Sequence, residues 1–110
     1  MVVADDGSAL RMSVRRSGDT VVLELSGEAD IASVPRLSMR LRDLVTGDAQ
    51  HVVVLGQQLA FLDLAALDVL LDASAELTAR GGSLVLQSPT RRVRRLVELL
   101  ALDGRLPVRG

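Results

Sequence analysis

A chain of 110 residues closes one hydrophobic core and not two, so a single domain is expected. With 48% hydrophobic and 25% charged residues it lies far from the composition of disordered chains, and a net charge of -1 gives no general attraction to nucleic acid or anionic lipid. The absence of cysteine excludes disulfides, thiolate chemistry and sulfur-ligated metals, and is compatible with a reducing cytoplasm, the expected location.

Residues 1–9 are small and polar and read as a flexible leader; residues 10–110 read as the domain. "LRMSVRR" places Leu10, Met12 and Val14 on one face, and "TVVLELS" does the same with Val21, Leu23 and Leu25. "SGD" between them supplies turn residues, so the pair predicts a hairpin.

After "GEAD" the apolar period lengthens. Val34, Leu37, Leu41, Leu44 and Val45 predict a helix, with Ser33 as N-cap, Pro35 in the first turn and Gly47 as the stop. "HVVVL", from His51 to Leu55, is continuous and β-branched, which predicts a central strand covered on both faces.

Leu64, Leu67, Leu70, Leu71 and Leu77 predict a second helix, ended by "RGG" at 80–82. "SLVLQ" predicts another strand. "SPT" opens a third helix, with Val93, Leu96, Val97 and Leu100 on one side and Gly104 as its end, before an edge strand at "RLPV". The order ββαβαβα, with a final β, predicts an α/β fold: a mixed β-sheet with helices packed on it, because strands joined through helices run parallel. No run approaches the roughly 18 apolar residues of a membrane span.

Asp63 is placed to cap the second helix. Its carboxylate can accept a first-turn N–H and faces the positive end of the helix dipole, while Leu62 and Leu67 have the spacing of a hydrophobic staple. Asp68, Asp72 and Glu76 follow at intervals of four on one helix face, with Arg80 placed to relieve the last of them. That line is either a solvated face or an acidic strip that meets an arginine-bearing partner. Carboxylate pairs can also run acid–base chemistry or hold a divalent metal, but a solvated face lacks the enclosure that shifts pKa values.

His51 stands without a second histidine or a cysteine, too few groups for a triad or a zinc site, and is expected to be structural. Ser74 falls on the leucine face as a buried hydroxyl. "RRVRR" reads as the solvated side of an amphipathic helix, since no aromatic accompanies it for base stacking. "RGGS" lacks the lysine of a phosphate loop. Catalytic residues, metal sites, cofactors, nucleic acid and membrane partners are not expected.

"VVLELSGEAD" at 21–30, "FLDLAALDVLL" at 61–71, "GG" at 81–82 before a strand, and "SPTRRVRRLVELLAL" as the last helix, in this order and spacing, make residues 10–108 resemble a STAS domain, the module of sulfate transporters and bacterial anti-sigma-factor antagonists. The resemblance implies the STAS fold and a non-enzymatic domain that captures an anti-sigma factor of kinase-like, ATP-binding fold and so regulates sigma-factor-dependent transcription. It implies a partner surface of Asp30, Asp63, Leu64, Ala65, Ala66 and Asp68.

In the antagonist branch an aspartate is followed by two serines, a glycine, a leucine and a glycine, and the first serine is phosphorylated. Here Asp63 and Leu67 match, Leu64 and Ala65 replace the serines, and Ala66 and Asp68 replace the glycines. No phosphoacceptor remains at Leu64, and Leu55 stands where the preceding strand of the family carries an aspartate. Leu64 either forms an exposed apolar contact point or packs beside Leu67. The alternative function is a ligand-sensing domain for a nucleotide or small anion, or a scaffold that self-associates.

Overall fold

The first two strands, β1 (Leu10–Ser17) and β2 (Thr20–Ala29), form the expected antiparallel hairpin, closed by Gly18 and Asp19. Gly18 supplies a positive φ of 62° for the tight turn. The structure, a computed structural model, describes residues 9–102 and 104–110; the leader expected over 1–9 lies outside the described residues except for Ala9. That residue is fixed, because its carbonyl accepts the Glu28 N–H at 3.2 Å.

A 3-10 turn over Ile31–Ser33 leads into α1 (Val34–Thr46), and the chain returns through β3 (His51–Leu62), α2 (Leu64–Ala79), β4 (Ser83–Gln87), α3 (Arg91–Leu99) and β5 (Val108–Arg109). The sheet order is β1-β2-β3-β4-β5, antiparallel between β1 and β2 and parallel thereafter, so β3 is central as expected.

Register aligns one apolar face. Met12 opposes Leu25, Leu23 lies beside Val54, and Val54 lies beside Leu86. Those residues join Leu37 and Leu41 of α1, Leu67, Leu70 and Leu77 of α2, and Val93 and Val97 of α3 in one buried cluster. Every helix thus contributes to the same side, and the molecule measures 33 × 31 × 21 Å. Phe61, the single aromatic residue, stays outside that cluster at the surface, so the core is built of aliphatic side chains.

Several expectations are corrected. β3 continues from "HVVVL" to Leu62, because β2 follows it with bulges between Glu24 and Ser26 and between Gly27 and Glu28. It is not covered equally on both faces: Val52 and Val54 are fully buried under the helices, whereas Val53 and Leu55 are half-buried beyond the cluster. Leu55 therefore lies in mid-strand, away from the start of α2.

The last helix stops at Leu99 instead of Gly104. Ala101 takes φ 54°, and the amides of Ala101 and Leu102 close back on the carbonyls of Glu98 and Val97 at 3.0 and 3.1 Å. Leu100 consequently leaves the apolar face and is exposed. Arg80 does not answer Glu76; its guanidinium donates to the carbonyls of Val45 and Ala49, joining the end of α1 to the approach of β3.

Candidate functional site: the Asp30 and Asp63 corners

Adjacent parallel strands β2 and β3 end side by side, with Ala29 in register with Leu62. Each strand is followed by an aspartate in extended conformation, and each aspartate caps the next helical segment. Asp63 behaves as its position predicts: Oδ1 accepts the Ala66 N–H at 3.0 Å, and its own carbonyl accepts the Leu67 N–H at 2.9 Å. Leu62 and Leu67, the expected staple, are both buried in the common cluster.

Asp30 takes the role expected of Ser33. Its Oδ1 accepts the Ala32 N–H at 3.0 Å, while its N–H donates to Ser33 Oγ at 2.9 Å. Ser33 precedes α1, but its hydroxyl makes no cap bond to that helix; it donates instead to the Asp30 carbonyl at 2.9 Å. The extra 3-10 turn explains the difference. The chain needs a cap at Asp30 first, and Ser33, wholly buried, completes it as a reciprocal capping box.

The approach to this corner depends on Gly27 of "GEAD". Its φ is 93°, and a Cβ there would stand 2.1 Å from the Ala9 carbonyl oxygen. Only glycine lets β1 begin so close to β2.

The residue following each cap is apolar and turned to solvent: Leu64 is 60% exposed and Ile31 73% exposed. Leu64 is thus an exposed contact point and not a core residue. Ala65 is half-buried and Asp68 is exposed. Ala66 is a correction: it is fully buried, so it supports the corner from within and presents no side chain to a partner. Ile31 escaped the sequence reading, although its place after Asp30 repeats that of Leu64 after Asp63.

The hydroxyls of Ser74 and Thr90 and the imidazole of His51 are engaged structurally. Ser74 is buried and donates to the Arg105 carbonyl at 2.7 Å. Thr90 caps α3 through the Val93 N–H at 3.4 Å and donates to the Leu59 carbonyl at 3.0 Å. His51 Nδ1 lies 2.8 Å from Ser83 Oγ across β3 and β4. Among the described residues no acidic or histidine cluster could hold a metal ion, and no helix is long and apolar enough to cross a membrane.

Comparison with solved structures finds the same fold in anti-sigma-factor antagonists. An antagonist from Mycobacterium paratuberculosis shares 20% identity at a TM-score of 0.85, over 98% of this chain and 91% of that one. A putative antagonist from Thermotoga maritima shares 18% identity at a TM-score of 0.81, over 90% and 86%. The antagonist SpoIIAA in its unphosphorylated form shares 22% identity at a TM-score of 0.77, over 88% and 86%. No curated protein matches the chain significantly. The family described as "Mlab, STAS domain" matches residues 12–109, nearly the whole described fold. The chain belongs to the STAS domain family.

Proposed function

We infer that this STAS domain acts without enzymatic chemistry, by capturing an anti-sigma factor of kinase-like, ATP-binding fold and so regulating sigma-factor-dependent transcription. The observation that carries the reading is Leu64: a leucine 60% exposed on the first turn of α2, next to a capping Asp63 and near a second exposed residue of the same kind, Ile31. The likeness to antagonist structures supports the fold on which such a surface is built.

The contacting surface is Asp30, Ile31, Asp63, Leu64, Ala65 and Asp68. Both aspartates spend one carboxylate oxygen on a cap, which fixes their side chains and lowers the ordering cost of docking. The apolar residues beside them supply area to bury. Since Leu64, Ala65 and Ala66 carry no hydroxyl, capture proceeds without a phosphate switch at this helix start.

Titration calorimetry with purified kinase-fold anti-sigma factors from the source organism tests the reading. Saturable binding, weakened by Leu64→Glu and not by Arg91→Ala/Arg92→Ala, is expected. Absence of binding to all of them, together with a rise in melting temperature on adding ATP or GTP, would favour the ligand-sensing alternative.

A further inference from the structure

Two exposed helix lines have the same spacing and opposite chemistry. On α2, Leu64, Asp68 and Asp72 follow one another at four-residue intervals; on α3, Arg91, Arg95 and Leu99 do the same. Residues so spaced are neighbours about 5–6 Å apart along a ridge of the helix surface. All six side chains are exposed, Leu64 by 60% and Leu99 by 70%. The leucine starts the line on α2 and ends it on α3.

Laid antiparallel, the two ridges correspond residue by residue: Leu99 meets Leu64, Arg95 meets Asp68, and Arg91 meets Asp72. Among the described residues, neither line finds an ion-pair partner. The one ion pair among the described residues joins Arg16 to Asp48, and although Arg42 shares a shallow cleft with Asp72 and Glu76, it makes no ion pair with them. Helix α3 holds four arginines against one glutamate in a chain of net charge -1, so its exposed side is strongly basic while the rest of the sequence is net acidic.

We propose that the Leu64–Asp68–Asp72 line of α2 docks antiparallel on the Leu99–Arg95–Arg91 line of α3 in a second copy of this chain. The occupant is another copy because one sequence carries both halves of the match, in charge and in the position of the leucine. The contact is heterologous: each molecule of a pair keeps one unused line, the α3 line on one and the α2 line on the other, and association need not stop at two. It also covers Leu64. Self-association and capture of another protein at the α2 corner therefore exclude each other, although self-association alone requires α3.

Sedimentation velocity of the full chain tests this. The weight-average mass is expected to rise with protein concentration at low salt and to fall as salt is added, because exposed charge pairs are screened. Arg95→Glu and Asp68→Arg should each weaken association by at least about tenfold, through like charges placed opposite each other. The double variant Arg95→Glu/Asp68→Arg should restore it, which a merely structural role of either residue would not do. Leu64→Glu and Leu99→Glu should each be monomeric alone, yet mixed together they should form dimers and nothing larger, since one sound ridge of each remains.

A monomer at every concentration, or association indifferent to Arg95→Glu and Leu99→Glu, would overturn the proposal. Sedimentation of a monomeric chain only with anionic phospholipid vesicles would assign the α3 line to a membrane surface instead. If Leu99→Glu loses self-association but keeps anti-sigma capture, both readings stand; loss of either one alone in the native chain identifies which has failed.

Discussion

The backbone N–H of Asp63 donates to the carbonyl of Ala29 at 3.0 Å, extending the β2–β3 ladder one step past the strands and tying the α2 corner to the Asp30 corner. The two caps are therefore held as one unit. A surface built across them is set by backbone hydrogen bonds before any partner arrives.

Replacing Asp63 with Ala removes the Ala66 amide's partner and should lower stability by about 0.5–2 kcal/mol. Asp63→Asn keeps an oxygen that can accept the same bond and should recover most of the loss. Urea denaturation at constant m-value measures both, and an unchanged midpoint in Asp63→Ala would contradict the cap.

Ser33→Ala should cost roughly 1–3 kcal/mol, more than the loss of an exposed hydroxyl, because it strands the Asp30 N–H beside a buried position. Ser33→Thr tests shape against hydrogen bonding: an added methyl group at a wholly buried site should also destabilise, although the hydroxyl remains. Thermal melting of the two variants separates these effects.

Gly27→Ala should destabilise by more than about 1 kcal/mol, since the new Cβ meets the Ala9 carbonyl and the residue must keep a positive φ. Gly18→Ala serves as the control: φ is also positive there, but nothing lies within 4 Å of the added Cβ. The first variant should be clearly the less stable.

The native chain should take no phosphate at the start of α2 when incubated with a kinase-fold anti-sigma factor and ATP. Leu64→Ser places a hydroxyl at an exposed position beside Asp63 and should gain one phosphate. Ala65→Ser, at the neighbouring half-buried position, should gain none. Intact-mass measurement decides it, and phosphate on the native chain at Ser74 or Thr90 would show that the switch has moved to a hydroxyl now engaged in the fold.

The element order, the central place of β3 and the Asp63 cap were legible because they depend on local rules: alternation for strands, three-to-four spacing for helices, and a carboxylate before a helical run. The same rules misplace Ser33 and Arg80, and the partner surface implied by the family resemblance misplaces Ala66, which is buried. Ser33 looks like a cap by sequence neighbourhood, yet the 3-10 turn transfers that duty to Asp30. Arg80 looks like the partner of Glu76 by helical spacing, yet carbonyls at the end of α1 and before β3 take its guanidinium.

The sequence by itself determined which segments become strands and helices, that no hydroxyl stands at Leu64, Ala65 or Ala66, and that acidic and arginine lines occupy different helices. Each of these is a property of residue identity and spacing along one element. Only the tertiary structure decided that Leu64 faces solvent while Ala66 is sealed, and that Ile31 stands beside a corner more than thirty residues away in sequence as its counterpart. Burial depends on what packs over a side chain, and for this corner the covering strands and helices come from distant parts of the chain, joined through the parallel pairing of β2 with β3.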